Sequence, residues 1–207
     1  MPYDPERHHR RSVRLDRHDY ASGTYFITLC AHQRTCLFGH VVDDEVLLSP
    51  FGKIVAEEWL CSAEIRPEIV LVDVVVMPNH LHGLVTILDP TGLPLNADVH
   101  PVGAHGRAPV STHTSLLPIT PSQRTTSASG TALHRRPRSL GSFVAGFKSS
   151  STTRLNALRG TTGAPVWQRG YHDHLIRTDD AFDRIRAYIA ANPARWHQDE
   201  ENPAHRR

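Results

Sequence analysis

Apolar positions along the chain follow two periods. Residues 24–30 and the two runs within 71–88 are almost continuously apolar and rich in β-branched side chains, which is typical of strands buried on both faces. Pro78-Asn79 separates the two runs of 71–88 and predicts a tight connection between neighbouring strands. Residues 36–48 predict a small hairpin that turns at Asp43-Asp44.

Three other stretches have helical spacing. Ser49-Pro50 supplies an N-cap and a first-turn proline for a helix that runs to about residue 63. A second helix begins at Leu140 and ends at Gly160, which is a typical C-cap residue. Thr178 caps a third helix, and Asn192-Pro193 ends it.

Segments without either period set the domain boundaries. Residues 89–138 are rich in Pro, Ser, Thr, Gly and His, so we interpret them as a low-complexity, disordered insertion. One domain then comprises residues 20–88 and 139–196. We expect residues 1–19 to form a basic flexible arm and residues 197–207 to form a polar tail.

The order of elements predicts the fold class. A strand and a hairpin precede a helix, a strand pair, the insertion, a helix, a strand and a last helix. Strands that alternate with helices around a central antiparallel pair favour an α+β fold. We expect a ferredoxin-like antiparallel sheet with helices packed on one face.

Composition restricts the compartment more than the partner. The 207 residues carry a formal net charge of only +2, so the overall charge does not indicate a nucleic-acid partner. Almost all of the 23 basic residues are arginine. Arginine suits bidentate phosphate contacts, but a GC-rich genome also favours arginine over lysine. The 3 cysteines have no paired spacing and favour a reducing compartment. Because no run of 18 apolar residues exists, we expect a cytoplasmic protein without a membrane span.

Two histidines stand directly after the Pro78-Asn79 turn. His80 and His82 are separated by one residue, and side chains at i and i+2 of a strand point to the same face. The pair can therefore converge on one ion or one phosphate, while Leu81 faces the opposite, buried side.

The last helix offers two further candidates. Tyr188 and Asn192 lie one turn apart on one helix face, where a phenol nucleophile and an amide-oxygen ligand could both face the histidines. Two imidazoles and an amide oxygen would leave open positions on a divalent metal ion. Tyr171 is the competing nucleophile, and the segment 172–174 (His-Asp-His) is a second, less suitable pair, because its central residue is charged.

Three blocks of sequence resemble the REP-associated tyrosine transposases, which belong to the single-tyrosine HUH transposase superfamily. They are Met-Pro-Asn-His-Leu-His-Gly at 77–83, Val-Trp-Gln-Arg-Gly-Tyr-His-Asp-His-Leu-Ile-Arg at 166–177 and Tyr-Ile-Ala-Ala-Asn-Pro at 188–193. The segments 25–30 and 36–39 resemble the opening of that family. The resemblance extends over residues 12–88 and 139–196, and the long insertion departs from it.

The resemblance implies a ferredoxin-like fold and metal-dependent nicking and rejoining of single-stranded DNA at REP-like hairpins. It implies a 5′-phosphotyrosine intermediate on Tyr188, with His80, His82 and Asn192 as ligands of Mg²⁺ or Mn²⁺. The partner would be hairpin DNA, in the nucleoid, bound by a monomer or a homodimer. Candidate DNA contacts are the basic residues of the arm and of the second half of the domain: Arg14, Lys148, Arg154, Arg169 and Arg177.

Two other functions fit part of the pattern. A domesticated relative could bind DNA hairpins without cutting them. A nucleotide phosphoesterase of the histidine-triad type would need a further histidine at the next alternate position. The chain has Leu84 there, which disfavours this function.

Overall fold

A computed structural model describes residues 22–89 and 138–205 of the chain. Within these residues, an antiparallel sheet has four strands: β1 (Gly23–Cys30), β4 (Ile69–Val76), β5 (His80–Ile87) and β6 (His172–Ile176). Their order across the sheet is β4-β5-β1-β6, so β5 and β1 are central. β5 pairs with β1 over its full length and with β4 over residues 81–87, which places its residues in the middle of the domain.

Three helices accompany the sheet in the described part of the chain: α1 (Pro50–Ile65), α2 (Leu140–Arg159) and α3 (Asp179–Ala191). The predicted caps are present. Ser49 Oγ accepts from Gly52 N, Thr178 Oγ1 accepts from Ala181 N, and Gly160 ends α2 in the left-handed conformation at φ 66°.

The two faces of the sheet carry different helices. The large core lies between the sheet and the helices α1 and α2, where the alternate residues Tyr25, Ile27 and Leu29 of β1 are fully buried. The opposite face packs against α3 through Leu84, Ile176 and Ile189. The α+β, ferredoxin-like class is thus confirmed, and the third helix adds a layer on the face toward which His80 and His82 point.

The predicted small hairpin consists of β2 (Gly39–Val42) and β3 (Glu45–Leu48). Asp43 and Asp44 have φ angles of 48° and 62°, as the tight turn of a two-residue hairpin requires.

Three segments lie outside the described residues: 1–21, 90–137 and 206–207. They contain the predicted arm with Arg14, nearly all of the predicted insertion, and the last two residues. In the part of the chain that the structure describes, no helix is long and apolar enough to cross a membrane.

Candidate metal and nucleophile site

β5 presents its histidines on the face that α3 covers. His80 Nε2 and His82 Nε2 lie 3.1 Å apart, and both side chains are buried, with exposed fractions of 0% and 4%. Leu81, between them, is fully buried on the opposite face, as the strand alternation predicted. The next residue on that opposite face is Gly83, and the indole ring of Trp59 from α1 lies directly over it.

Both imidazoles are neutral at physiological pH. Burial lowers the pKa of His80 to about 3, assisted by the positive charge of Arg34. Burial also lowers the pKa of His82 to about 3, and His80 adds to this effect while Asp199 opposes it. Neutral imidazoles have lone pairs available for a metal ion.

A carboxylate from the end of the chain reaches the histidines. Asp199 Oδ2 lies 3.7 Å from His80 Nε2, and potential ligand atoms of His80, His82 and Asp199 all lie within 4.8 Å of one another. Since His80 is neutral, this contact is not an ion pair, and Asp199 Oδ2 is buried with no hydrogen-bond partner among the described residues. Asp199 Oδ1, by contrast, accepts a hydrogen bond of 2.7 Å from Glu201 N, and burial raises the pKa of the carboxyl group.

The segment that carries Asp199 is held in place by its next residues. Glu201 forms an ion pair with Arg34, and its backbone oxygen accepts a hydrogen bond of 2.7 Å from Asn79 Nδ2. A short 3₁₀ helix, Pro193–Gln198, connects α3 to this segment.

α3 brings Tyr188 and Asn192 to the same place. Tyr188 Oη lies 3.3 Å from His82 Nε2, and the tyrosine side chain remains 40% exposed. Burial raises the pKa of Tyr188, and the negative charge of Asp199 adds to the effect, whereas a hydrogen bond from Asn192 lowers it. The protein's own charges therefore do not favour a phenolate here.

The donor set fits a divalent cation. Asn192 is buried, and its Oδ1 has no hydrogen-bond partner among the described residues, which leaves an amide oxygen available beside the tyrosine. Two neutral imidazoles, the unpartnered carboxylate oxygen Asp199 Oδ2 and this amide oxygen are ligand types for such an ion. The group His80, His82 and Asp199 could thus hold a metal ion, and the role of Asn192 as a ligand stays a prediction.

A cleft of about 1020 Å³ opens from this site. His82, Tyr188, Asn192 and Asp199 line part of its wall. The rest of the wall is mixed: it contains apolar positions such as Val144, acidic residues such as Glu200, and basic side chains that include Lys148 and Arg169. The basic side chains of this wall are the groups that a phosphate-bearing ligand would contact on its way to the histidines.

The predicted basic residues occupy different environments. Arg169 is exposed and lines the cleft, whereas Arg177 is exposed without lining it. Lys148 Nζ donates to Gln168 O at 2.9 Å and to Gly170 O at 2.6 Å, so it also fixes the loop that carries Arg169. Burial lowers the pKa of Lys148 to about 8.

Arg154 lies outside the cleft lining. Its guanidinium donates to Glu57 Oε2 at 2.6 Å and to Glu58 Oε1 at 3.0 Å, both on α1. These carboxylates compensate its charge within the domain. A DNA contact for any of the basic residues stays a prediction.

The competing residues also line the cleft. Tyr171 lines it close to Lys148, whose Nζ is 6.0 Å from the tyrosine ring centroid. His172 pairs with Thr28 in the sheet and shares a face with His82, and its positive form would lower the pKa of His82.

Sequence reasoning missed three residues of this site. Asp199 lies in the segment interpreted as a polar tail, and its acidic Asp-Glu-Glu run at 199–201, soon after the last helix, was the available signal. Asn79 and Thr28 hydrogen-bond to the rings of His80 and His82. Asn79 was interpreted only as a turn residue, and Thr28 only as a strand residue.

The fold and the site together define a ferredoxin-like domain with a buried His-His-Asp group beside an accessible tyrosine. Over 199 residues the chain is 33% identical to an uncharacterized protein of Haemophilus influenzae, and the match covers 96% of both chains. The chain belongs to the family of that protein. No family model matches the sequence.

A solved structure shares the fold. It is the structure of a REP-associated tyrosine transposase bound to a REP hairpin, with a TM-score of 0.50 and 15% sequence identity. The similarity covers 88% of this chain and 73% of that one. The chain therefore has a transposase-like fold.

Proposed function

We propose that the protein is a metal-dependent transposase that nicks and rejoins single-stranded DNA at REP-like hairpins through a 5′-phosphotyrosine intermediate on Tyr188. The observation that carries this proposal is the 3.3 Å distance between Tyr188 Oη and His82 Nε2, in residues 106 positions apart. A nucleophile placed against a metal-ligand group is the arrangement that covalent cleavage of a phosphodiester needs. The shared fold of a transposase bound to a REP hairpin supports the choice of substrate.

In the proposed reaction, Tyr188 Oη attacks the phosphorus of one phosphodiester, and the bond between phosphorus and the 3′-oxygen breaks. The phenol loses its proton to water, and the departing oxygen takes one up as a 3′-hydroxyl. The phosphodiester energy is kept in the phosphotyrosine, so rejoining needs no ATP.

His80, His82 and Asp199 would hold the cation, which is Mg²⁺ or Mn²⁺ in this proposal, with Asn192 as a further oxygen ligand. Such a cation supplies Lewis-acid polarisation of the phosphate and stabilises the charge that develops on it. The raised pKa of Tyr188 is consistent with a role for the cation in activating the phenol. The phenol needs a positive charge nearby before it becomes a good nucleophile.

The proposal gives the basic side chains of the cleft a role in DNA binding. Arg169 is exposed at the cleft wall and would contact backbone phosphates, in a loop that Lys148 fixes. Tyr188 is 40% exposed, so a DNA strand in the cleft can reach its hydroxyl.

The experiment is incubation of the full chain with 5′- and 3′-labelled single-stranded hairpins from the flanks of its own gene, with Mg²⁺, Mn²⁺ or EDTA. We expect metal-dependent cleavage, a covalent protein–DNA adduct resistant to denaturant, and loss of both with Tyr188→Phe while hairpin binding persists. An adduct formed by Tyr188→Phe would show that Tyr188 is not the nucleophile. Hairpin binding without cleavage under any metal would instead identify a DNA-binding module.

A further inference from the structure

Asn79 has a hydrogen-bonding pattern that admits one orientation of its amide. Its Nδ2 donates to Arg34 O at 3.1 Å and to Glu201 O at 2.7 Å, and a backbone oxygen can only accept. Asn79 Oδ1 therefore faces His80 Nδ1 at 2.9 Å, and His80 Nδ1 must carry the proton of that hydrogen bond. In an imidazole with one ring proton, a proton on Nδ1 leaves a lone pair on Nε2.

His82 has a partner with no such constraint. Thr28 Oγ1 lies 2.9 Å from His82 Nδ1, and a hydroxyl can donate to this nitrogen or accept from it. Thr28 is the partner of His82 in the pairing of β1 with β5, so the backbone fixes the distance whichever way the hydroxyl proton points.

The two Nε2 atoms, 3.1 Å apart, then allow only two proton arrangements. Two lone pairs facing each other at this distance repel, so either a proton or a cation must lie at the pair. Tyr188 Oη, 3.3 Å from His82 Nε2, can donate to that nitrogen but leaves the lone pair of His80 without a donor. Asp199 Oδ2, at 3.7 Å from His80 Nε2, is too distant for a hydrogen bond.

Without a cation, His82 Nε2–H donates to His80 Nε2, and Thr28 donates its hydroxyl proton to His82 Nδ1. With a cation, both Nε2 lone pairs would bind it. His82 then carries its proton on Nδ1, and this N–H donates a hydrogen bond to Thr28 Oγ1. One proton leaves Nε2 to water and another reaches Nδ1 from water, so the charge of His82 stays the same.

We propose that Asn79 and Thr28 are positioning residues that set the proton pattern of the histidine pair: Asn79 locks His80 in the Nδ1–H tautomer, and Thr28 reverses its hydroxyl so that His82 can change tautomer when a divalent cation binds. This inference rests on the proposed metal site but requires neither DNA nor cleavage. Partners of this kind fix the orientation and basicity of metal-binding imidazoles, and their loss typically costs about 10–100-fold in metal affinity.

The direct test is long-range ¹H–¹⁵N correlation NMR of the histidine rings in the full chain, with EDTA or with saturating Zn²⁺, a diamagnetic ion that imidazole binds readily. His80→Gln and His82→Gln spectra identify the two rings. We expect His80 as the Nδ1–H tautomer in both conditions, and His82 as Nε2–H with EDTA and Nδ1–H with Zn²⁺. An unchanged tautomer of Zn²⁺-bound His82, or an Nε2–H tautomer of His80, overturns the inference.

A set of threonine variants provides the second test, with Mn²⁺ affinity measured from the electron paramagnetic resonance signal of the free ion. Thr28→Val should bind Mn²⁺ about 10–100-fold more weakly, whereas Thr28→Ser should retain near wild-type affinity because it keeps the hydroxyl. Thr24→Val is the matched control: Thr24 lies on the same strand, and its hydroxyl bonds to Thr86 at 2.9 Å. We expect it to bind Mn²⁺ like the wild type.

Wild-type affinity in a folded Thr28→Val variant contradicts the role of Thr28. If that variant does not fold, the wild-type spectra decide. A wild-type chain that binds neither Mn²⁺ nor Zn²⁺ refutes the metal site itself, and with it the proposed function. Metal binding without a tautomer change refutes this inference alone.

Discussion

Gly83 is the position at which the sheet has no room for a side chain. A Cβ built there would lie 2.4 Å from Cη2 and 2.5 Å from Cζ2 of Trp59, far inside van der Waals contact. Trp59 is fully buried and is held edge-to-face by Phe143 and Phe147, at centroid distances of 5.5 and 5.4 Å. In Gly83→Ala, therefore, either the indole or strand β5 must move.

The expected cost follows from this geometry. Overpacking a well-packed core typically costs about 1–3 kcal/mol, and a ring confined on two sides favours the upper part of that range. Replacing glycine also restricts the unfolded chain, which returns about 0.4–1 kcal/mol. The net loss in free energy of unfolding should be about 2 kcal/mol, which lowers Tm by about 4–8 °C in a chain of this size.

The assay is urea and thermal denaturation of the full chain, and a double-mutant cycle with Trp59→Phe isolates the clash. The smaller ring should recover at least half of the loss, which makes the two substitutions strongly non-additive. Gly146→Ala is the control, because it lies on the exposed side of α2 and its nearest neighbour is the flexible end of Arg66, at 3.2 Å. Equal effects of the two alanine substitutions, or additivity with Trp59→Phe, would show that no clash with the indole causes the loss.

Three further predictions concern charge. The pKa of His80 and of His82 is lowered from 6.5 to about 3, so only the unfolded chain takes up these protons as the pH falls. In EDTA, the contribution of the two histidines to the free energy of unfolding should be complete above about pH 6.5. It should fall toward pH 3 by up to about 1.4 kcal/mol per pH unit for each histidine. Urea titrations of the variant that combines His80→Gln and His82→Gln should show a flatter pH profile. Asp199→Asn should weaken Mn²⁺ binding by about tenfold or more in paramagnetic resonance titrations, whereas Glu200→Gln should not, and equal effects would exclude Asp199 as a ligand. Arg154→Gln leaves two carboxylates of α1 without their partner and should lower the free energy of unfolding by about 1 kcal/mol, measured by urea denaturation. The effect should be small because the Arg154 side chain is 41% exposed. An unchanged urea midpoint would show that the two ion pairs do not stabilise the fold.

The elements and the histidine pair follow from local signals. Strand alternation predicts that His80 and His82 share a face, and helical spacing puts Tyr188 and Asn192 together on α3. Their meeting in space depends on α3 packing against the sheet face that carries the histidines, through Ile189 and its neighbours. The sequence predicted the helix but not that side of the sheet.

Asp199 could not be predicted by the same means. It follows a 3₁₀ helix in a polar segment without hydrophobic periodicity, and its position depends on contacts of Glu201 with Arg34 and Asn79, far away in the sequence. The roles of Asn79 and Thr28 are likewise tertiary, because each is defined by hydrogen-bond partners from other elements. Periodicity predicts which way a side chain points, but not which donor or acceptor it meets.

Peptide mapping of the covalent adduct decides whether Tyr188 is the nucleophile of a metal-dependent site. The full chain is incubated with a hairpin oligonucleotide and Mn²⁺, digested with nuclease and trypsin, and analysed by mass spectrometry. The sequence places the two candidate tyrosines in different tryptic peptides, Ala187–Arg195 for Tyr188 and Gly170–Arg177 for Tyr171. We predict a nucleotide linked to Tyr188 in Ala187–Arg195, absent when EDTA replaces Mn²⁺. A nucleotide on Gly170–Arg177 would show that Tyr171 is the nucleophile, and an adduct that forms equally well in EDTA would show that no metal ion is needed.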